Sequence, residues 1–377
     1  METSDPDPAS ALDAPGAATL RFPCAGCGAA LAWDPDADAL VCSHCDARVE
    51  VPRSDATIVE RTFAEAGAAA RGLGLARRTA RCRRCGASTS IDEVATALAC
   101  AFCGDAQVLE GSENRNALRP ESLVPLDVGR ARVEREFQAW LGRLWFRPSA
   151  LRRARIDEAV GVYVPFWSFD ASVRSRWAAE SGTYYQVPEA YTAIVQGRRI
   201  VRTRMVTKVR WWPSCGERAD RWDDLLVHAS RGLSPELARE LGAWDTGALV
   251  PYRPEYLAGW RAEEYAIDLE QGWADGLARI EAGQRARCAG DVPGDTHRAL
   301  RVENEVGDRR WKLVLLPLWS LTYRWRGETY AVLVHGQSGR VVGCAPISWA
   351  KVAALCAAVA AAVLAALAFA AAAGLLH

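Results

Sequence analysis

Cys24-Ala25-Gly26-Cys27 and Cys42-Ser43-His44-Cys45 make one quartet of cysteines, and Cys82-Arg83-Arg84-Cys85 with Cys100-Ala101-Phe102-Cys103 make a second at the same offsets. The quartets superimpose without a gap: Gly28 matches Gly86, Ala29 matches Ala87 and Leu40 matches Leu98. A CxxC turn brings two thiolates to one metal, and a glycine after the second cysteine admits the tight knuckle. A second CxxC about 15 residues on, across a short hairpin, completes a tetrahedron. The reading is a duplicated zinc ribbon, residues 21–53 and 79–112, with one structural Zn²⁺ on Cys24, Cys27, Cys42 and Cys45 and another on Cys82, Cys85, Cys100 and Cys103. Four thiolates leave no ligand position for a reactive water, and ribbons this small depend on the metal for most of their folding energy.

Two disulfide loops or redox-active CxxC pairs are the competing readings. Four pairs at duplicated spacing argue against both. So does an N-terminus with early Asp and Pro and no cationic stretch followed by an apolar run, which reads as no signal peptide and a reducing cytosol. His44, inside a knuckle, reads as a solvated bystander. Asp34, Asp36 and Asp38 start like a calcium loop, but Ala39 and Cys45 stand where that loop needs Gly and Glu, so they read as a hairpin turn.

Working outward, residues 1–20 read as a disordered tail and 54–78 as a partly helical linker. Residues 113–346 read as one mixed domain. Val133, Phe137, Trp140 and Leu144 predict a helix over 128–145, and further helices are expected at 234–241 and 262–282. Residues 198–211 alternate like a strand, and 311–343 read as a three-strand meander with turns near Gly327 and at Gly336–Gly339. The expected class is α+β: two small N-terminal ribbons, an antiparallel-sheet domain with helices, and one C-terminal transmembrane helix. An internal echo links Val164-Pro165-Phe166-Trp167-Ser168-Phe169 to Leu316-Pro317-Leu318-Trp319-Ser320-Leu321. It reads as one structural solution used twice, with Pro at strand entry and Trp as the core anchor; related subdomains flanking a groove are the alternative.

Val352 to Leu376 carry no charge. About 25 residues at 1.5 Å rise exceed the ~30 Å hydrocarbon layer, so 352–376 is expected to span the bilayer as a tail anchor. Lys351 then lies on the cytosolic side, which makes the chain a single-pass protein of the cytoplasmic membrane with its N-terminus in the cytosol.

Lys+Arg and Asp+Glu balance at 46 each in the 377 residues, a composition that disfavours a dedicated nucleic-acid binder. Arg78, Arg81, Arg83 and Arg84 in the second ribbon are a local hint toward nucleic acid. Phosphate-cradling, HExxH and GxSxG patterns are absent, so no enzymatic activity is expected. Arg198, Arg202, Arg204, Lys208 and Arg210 share one parity, with Val201, Met205, Val209 and Trp211 on the other. This is either a solvated face or a surface for anionic lipid or an acidic partner.

Paired ribbons are followed by Leu123-Val124-Pro125-Leu126-Asp127, Trp145-Phe146-Arg147-Pro148, Gly161-Val162-Tyr163-Val164-Pro165-Phe166-Trp167, Trp212-Pro213-Ser214-Cys215-Gly216, Leu257-Ala258-Gly259-Trp260, Leu316-Pro317-Leu318-Trp319 and the run Gly336–Gly343. From Phe22 onward the chain resembles the bacterial membrane-anchored double zinc-ribbon proteins, often labelled TFIIB-type zinc-ribbon or primosomal (replication-restart) helicase-like proteins. Helicase motor motifs are absent here. The resemblance implies a link to envelope-stress systems of the phage-shock type, as a membrane anchor for peripheral proteins. The expected function is a non-enzymatic, tail-anchored adaptor whose cytosolic ribbons recruit a protein partner. The alternative is a membrane-tethered nucleic-acid-binding zinc-ribbon protein.

Overall fold

The computed structural model describes residues 22–52, 57–69, 71, 78–91, 100, 102–103, 105, 108–111, 118–195 and 198–372. The tail expected at 1–20, residues 54–56, 70 and 72–77 of the expected partly helical linker and the last residues of the apolar run lie outside them. The first ribbon is β1 (Leu31–Asp34), β2 (Ala39–Cys42) and β3 (Arg48–Val49). After β4 (Arg61–Thr62) and a 3₁₀ turn at Phe63–Ala68, the second ribbon is β5 (Arg78–Cys82), β6 (Ser88–Ile91) and β7 (Val108–Gly111). Then follow β8 (Ser122–Leu123), α1 (Arg130–Arg143), β9 (Ile156–Val195), β10 (Arg198–His228), α2 (Pro235–Leu241), β11 (Val250–Pro251) and β12 (Arg261–Ala262). The chain ends with α3 (Leu269–Asp291), β13 (Thr296–Trp325), β14 (Glu328–His335), β15 (Val341–Gly343) and α4 (Trp349–Ala372).

The main sheet has the order β10-β9-β13-β14-β15, with β4, β8, β11 and β12 as short attachments. Its centre is the antiparallel pair β9/β13, where Val164 faces Leu316. That pairing is its own image under a local two-fold axis, which carries Pro165-Phe166-Trp167 onto Pro317-Leu318-Trp319. The echo in the sequence is therefore one hairpin design used twice, side by side. The prolines do not stand at strand entries; both are inside long central strands. Each sits one residue beyond the last pair of its outer neighbour: β10 ends at His228 opposite Phe166, and β14 ends at His335 opposite Leu318. The carbonyls of Pro165 and Pro317 accept from Ala229 and Gly336 at 3.0 and 2.9 Å, and the N–H that proline lacks would point where the outer strand has already stopped.

Around this centre the sheet is buried on both faces, so its strands read as continuous apolar runs such as Leu313–Leu316. Even-numbered Val162, Val164, Val314, Leu316 and Leu318 pack with Ala87 and Phe102 of the second ribbon, with Leu233 just before α2 and with Leu241 at its end. Odd-numbered Tyr163, Leu315, Trp319 and Tyr323 pack with Leu31, Trp33 and Leu40 of the first ribbon and Val133, Phe137 and Leu141 of α1. The two ribbons thus cover opposite faces of one sheet.

Helices α1 and α2 fall where the periodicity placed them. Helix α3 starts later than expected and runs further, 269–291 instead of 262–282. Residues 262 and 263 are held at the sheet by Ala262 opposite Tyr163 and by Glu263 N–H donating to Tyr163 O at 2.8 Å. Asp268 then caps the helix, its carboxylate accepting from Gln271 N–H at 2.8 Å. Gly272, Gly276 and Gly283 on α3 lie over Trp167, Phe169 and Trp222; a β-carbon would collide with the first and last of these rings and press tightly on Phe169.

Candidate metal centres and the basic arm

In the first ribbon Cys24 N–H donates to Ala29 O at 2.7 Å and Gly28 N–H to Cys24 O at 2.8 Å; Cys42 to Ala47 and Asp46 to Cys42 repeat the pattern at 2.9 and 3.0 Å. Gly28 has φ +75° and Asp46 +56°, so the second knuckle makes its left-handed residue from an aspartate, which tolerates that region better than most side chains. The second ribbon repeats the bonds with Cys82 to Ala87 at 2.9 Å and Cys100 to Asp105 at 2.8 Å.

These turns converge Cys24, Cys27, Cys42 and Cys45 on one point, and Cys82, Cys85, Cys100 and Cys103 on another, with the four sulfurs of each set within 4.8 Å of one another. Cys24–Cys45 and Cys27–Cys42 are 3.5 Å apart, Cys82–Cys103 3.6 Å and Cys85–Cys100 3.5 Å. A tetrahedron with metal–sulfur bonds of ~2.3 Å has edges of about 3.8 Å, so each set fits a metal ion of that size. All eight residues expected as ligands are brought together, four and four.

The electrostatics point the same way. Backbone N–H groups of His44 and Cys45 lower the Cys42 thiol to about 6. Cys45 accepts from Ala47 N–H, but its three sulfur neighbours push it up to about 12. Hydrogen bonding from Cys85 lowers Cys100 to about 5, and burial raises Cys103 to about 11. Four thiols this close cannot all ionise against one another; a divalent cation at the centre removes the conflict.

The ribbons are not free-standing. Trp33 Nε1 donates to Leu126 O at 3.3 Å, Trp33 N–H to Ala258 O at 2.9 Å, and Trp260 Nε1 to Trp33 O at 3.0 Å. In the second ribbon Glu264 N–H donates to Ser88 O at 3.0 Å, and Thr89 bridges Glu263. Beside it the Glu263 carboxyl is fully enclosed, and desolvation pushes it up to about 8.

The predicted basic strand lies in a feature the sequence reading missed. β13 accompanies β9 only as far as Gly182, where Thr296 packs so closely that a side chain would collide. Beyond that point β9 and β10 continue alone, from Thr183 opposite Arg210 to Val195 opposite Arg198, as a two-stranded arm. No register shift interrupts this stretch. Arg198, Arg202, Arg204, Lys208 and Arg210 therefore share a face with Tyr185, Tyr191 and Trp212. Arg204 pairs with Glu189 at 2.9 Å and lies 5.5 Å from the Tyr191 ring; Arg210 lies 5.0 Å from Tyr185 and 5.8 Å from Trp212. Among the described residues Arg202 and Lys208 have no acidic partner. The opposite face carries Tyr184, Ile194, Val201 and Met205, of which Ile194 and Val201 are 73% and 75% exposed. The arm has six cations against the single acid Glu189.

α4 is apolar from Trp349 to Phe369, with mean hydropathy 2.6 and none of it buried in the protein, so it is long and apolar enough to cross a membrane. A cleft of about 1000 Å³ opens between β10 and helices α2 and α3, bordered by Trp222, Asp224, His228, Trp244 and Arg279. Two of its charges are engaged within the fold: Arg279 donates to Leu226 O at 3.0 Å, and Asp224 accepts from Ser168 at 2.9 Å and from the buried Lys312 at 2.6 Å.

No protein-family model matches the chain, and no solved structure matches it. Among curated proteins it is similar to the uncharacterized protein YdjG of Bacillus subtilis (strain 168), 25% identical over 239 residues, a match covering 63% of this chain and 67% of that one.

Proposed function

We propose that the chain is a non-enzymatic, membrane-tethered zinc-ribbon adaptor. α4 holds it in the cytoplasmic membrane with the bulk of the chain in the cytosol. Two Zn²⁺ ions, favoured over harder cations by the all-thiolate donor sets, close the ribbons against the sheet. The arm recruits an acidic protein partner. The arm is the observation that carries this reading: no core residue requires it, it bears nearly all its charge in one sign, and both its faces stand in solvent. The apolar faces of both ribbons are turned into the core, which supports a structural role for the metals and moves the recruiting surface from the ribbons to the arm. A role in the envelope-stress response rests on the resemblance of the sequence motifs alone.

β9 is 40 residues long, about 130 Å of contour at ~3.3 Å per residue, and its first residue, Ile156, pairs with Tyr323, whose hydroxyl donates to the carbonyl of Cys344 shortly before α4. That contour is many times the ~8 Å screening length of physiological salt. This favours a partner over the headgroups of the bilayer that holds α4 as the arm's target. The test uses the full chain purified from detergent-solubilised membranes after nuclease treatment, beside the triple variant Arg202→Gln, Arg204→Gln, Lys208→Gln. Co-purifying protein present with the wild type and reduced at least tenfold with the variant supports the reading. Equal recovery overturns it. Partners lost on nuclease treatment, with direct oligonucleotide binding that weakens steeply with salt, would favour the nucleic-acid tether instead.

A further inference from the structure

The base of α4 is fastened to a loop whose chemistry matches a membrane surface. From the last residue of α1 to the start of β9, residues 143–155 read Arg-Leu-Trp-Phe-Arg-Pro-Ser-Ala-Leu-Arg-Arg-Ala-Arg: five arginines and no acid. Trp145 is 75% exposed and Phe146 41%, although large aromatics are ordinarily drawn inside. Two hydrogen bonds tie this loop to the start of α4: Ser348 N–H donates to Phe146 O at 2.8 Å, and Lys351 Nζ donates to Trp145 O at 3.1 Å. The loop is itself braced, with Gln138 Nε2 donating to Ala154 O at 2.8 Å and Leu151 fully buried. The exposed rings therefore sit on a fixed support at the level of the helix's first turn. On that turn Trp349 is 74% exposed, and Ile347 just before it is 50% exposed.

The geometry points to a membrane-docking platform formed by Trp145, Phe146 and Trp349 with the arginines of 143–155, seated in the anionic phospholipid interface of the bilayer that α4 crosses. The occupant follows from continuity with α4: a helix that enters hydrocarbon after Lys351 places the residues bonded to its first turn at headgroup depth. Tryptophan prefers that depth, and arginine side chains there meet lipid phosphates. Such a platform holds the sheet at a fixed attitude on the membrane, with β9 leaving the surface at Ile156.

This inference rests on α4 spanning the bilayer, and the experiment separates the two. The full chain carries a photo-crosslinking residue at one of three exposed sites, Trp145→p-benzoylphenylalanine, Val363→p-benzoylphenylalanine or Ile194→p-benzoylphenylalanine. It is reconstituted in nanodiscs of phosphatidylglycerol and phosphatidylethanolamine and irradiated, and lipid adducts are counted by mass spectrometry. The platform predicts adducts at 145 within about threefold of those at 363, and at least tenfold fewer at 194. Adducts at 363 without adducts at 145 overturn the platform and leave the anchor standing. No adducts at 363 overturn the anchor and the platform with it.

Discussion

The two hairpins that meet at the Val164/Leu316 pair start alike and end differently. Each carries proline, then a tryptophan whose indole N–H is bonded inside the core, Trp167 to Ile267 O at 3.0 Å and Trp319 to Val128 O at 2.7 Å. Each outer strand stops at a histidine. The β13–β14 hairpin turns at Arg326-Gly327, with positive φ at both, as soon as its core positions are filled. The β9–β10 hairpin runs on past the end of its neighbour. A solitary two-stranded ribbon is marginal in water, and this one is supported by β-branched residues such as Thr192, Val201, Thr203, Val206 and Thr207 and by its arginine–aromatic stacking. Length that the core does not need, kept at the limit of stability, is what the proposed recruiting role rests on; the short hairpin shows what the fold alone requires.

The largest effect should come from breaking what both hairpins share. Because the ribbons cover the two faces of the dyad, removing either metal uncovers Trp33 or Phe102 and the sheet face beneath. Structural zinc in small domains is worth on the order of 10 kcal/mol. Cys42→Ser and Cys100→Ser should each destabilise the whole sheet and not only a local ribbon. Thermal melts with and without a strong chelator, beside elemental analysis giving two zinc ions per chain, check this; a ribbon that melts alone while the sheet keeps its transition would contradict it.

The tryptophans come next. If the dyad is energetic as well as geometric, Trp167→Ala and Trp319→Ala should cost about the same, roughly 3–5 kcal/mol each by denaturant unfolding. A difference of several kcal/mol would break the equivalence of the hairpins.

A smaller and pH-dependent effect belongs to Glu263, beside the second ribbon. Its carboxyl lies near 4.5 when unfolded and about 8 when folded. Between those values the folded state holds the extra proton, so stability is highest below about 4.5 and falls as pH rises to about 8. The loss is on the order of 5 kcal/mol. Glu263→Gln should flatten that slope and stabilise the protein at alkaline pH; an unchanged slope would show that the carboxyl is not the titrating group.

Much of this was legible in the sequence. Cysteine spacing located all eight candidate ligands, periodicity located α1 and α2, and the uncharged run marked α4, because each signal is local. Strand parity read the arm's two faces correctly for the same reason. The arm itself was not legible. Gly182, Pro188, Pro213 and Gly216 look like strand breakers, yet β9 and β10 run through them. Gly182 marks a close approach, and in a two-stranded ribbon each strand has an open edge where proline loses nothing. The docking of the ribbons was also missed. It depends on Trp33 meeting Leu126 and Ala258, residues remote in sequence, although Leu31, Trp33 and Leu40 were already an unusual apolar load for a ribbon without a core.

The central claim is that the core of the fold stops where β13 begins, at Thr296 opposite Gly182, and that the arm beyond it is for binding. It is tested most directly by replacing residues 183–210 with Asn-Gly, a two-residue turn that closes the Gly182/Trp211 pair. The account predicts a full-length chain that stays in the membrane fraction, keeps two zinc ions, melts within about 3 °C of the wild type and no longer co-purifies its partner. A shortened chain that unfolds, or one that retains the partner at wild-type levels, would contradict it.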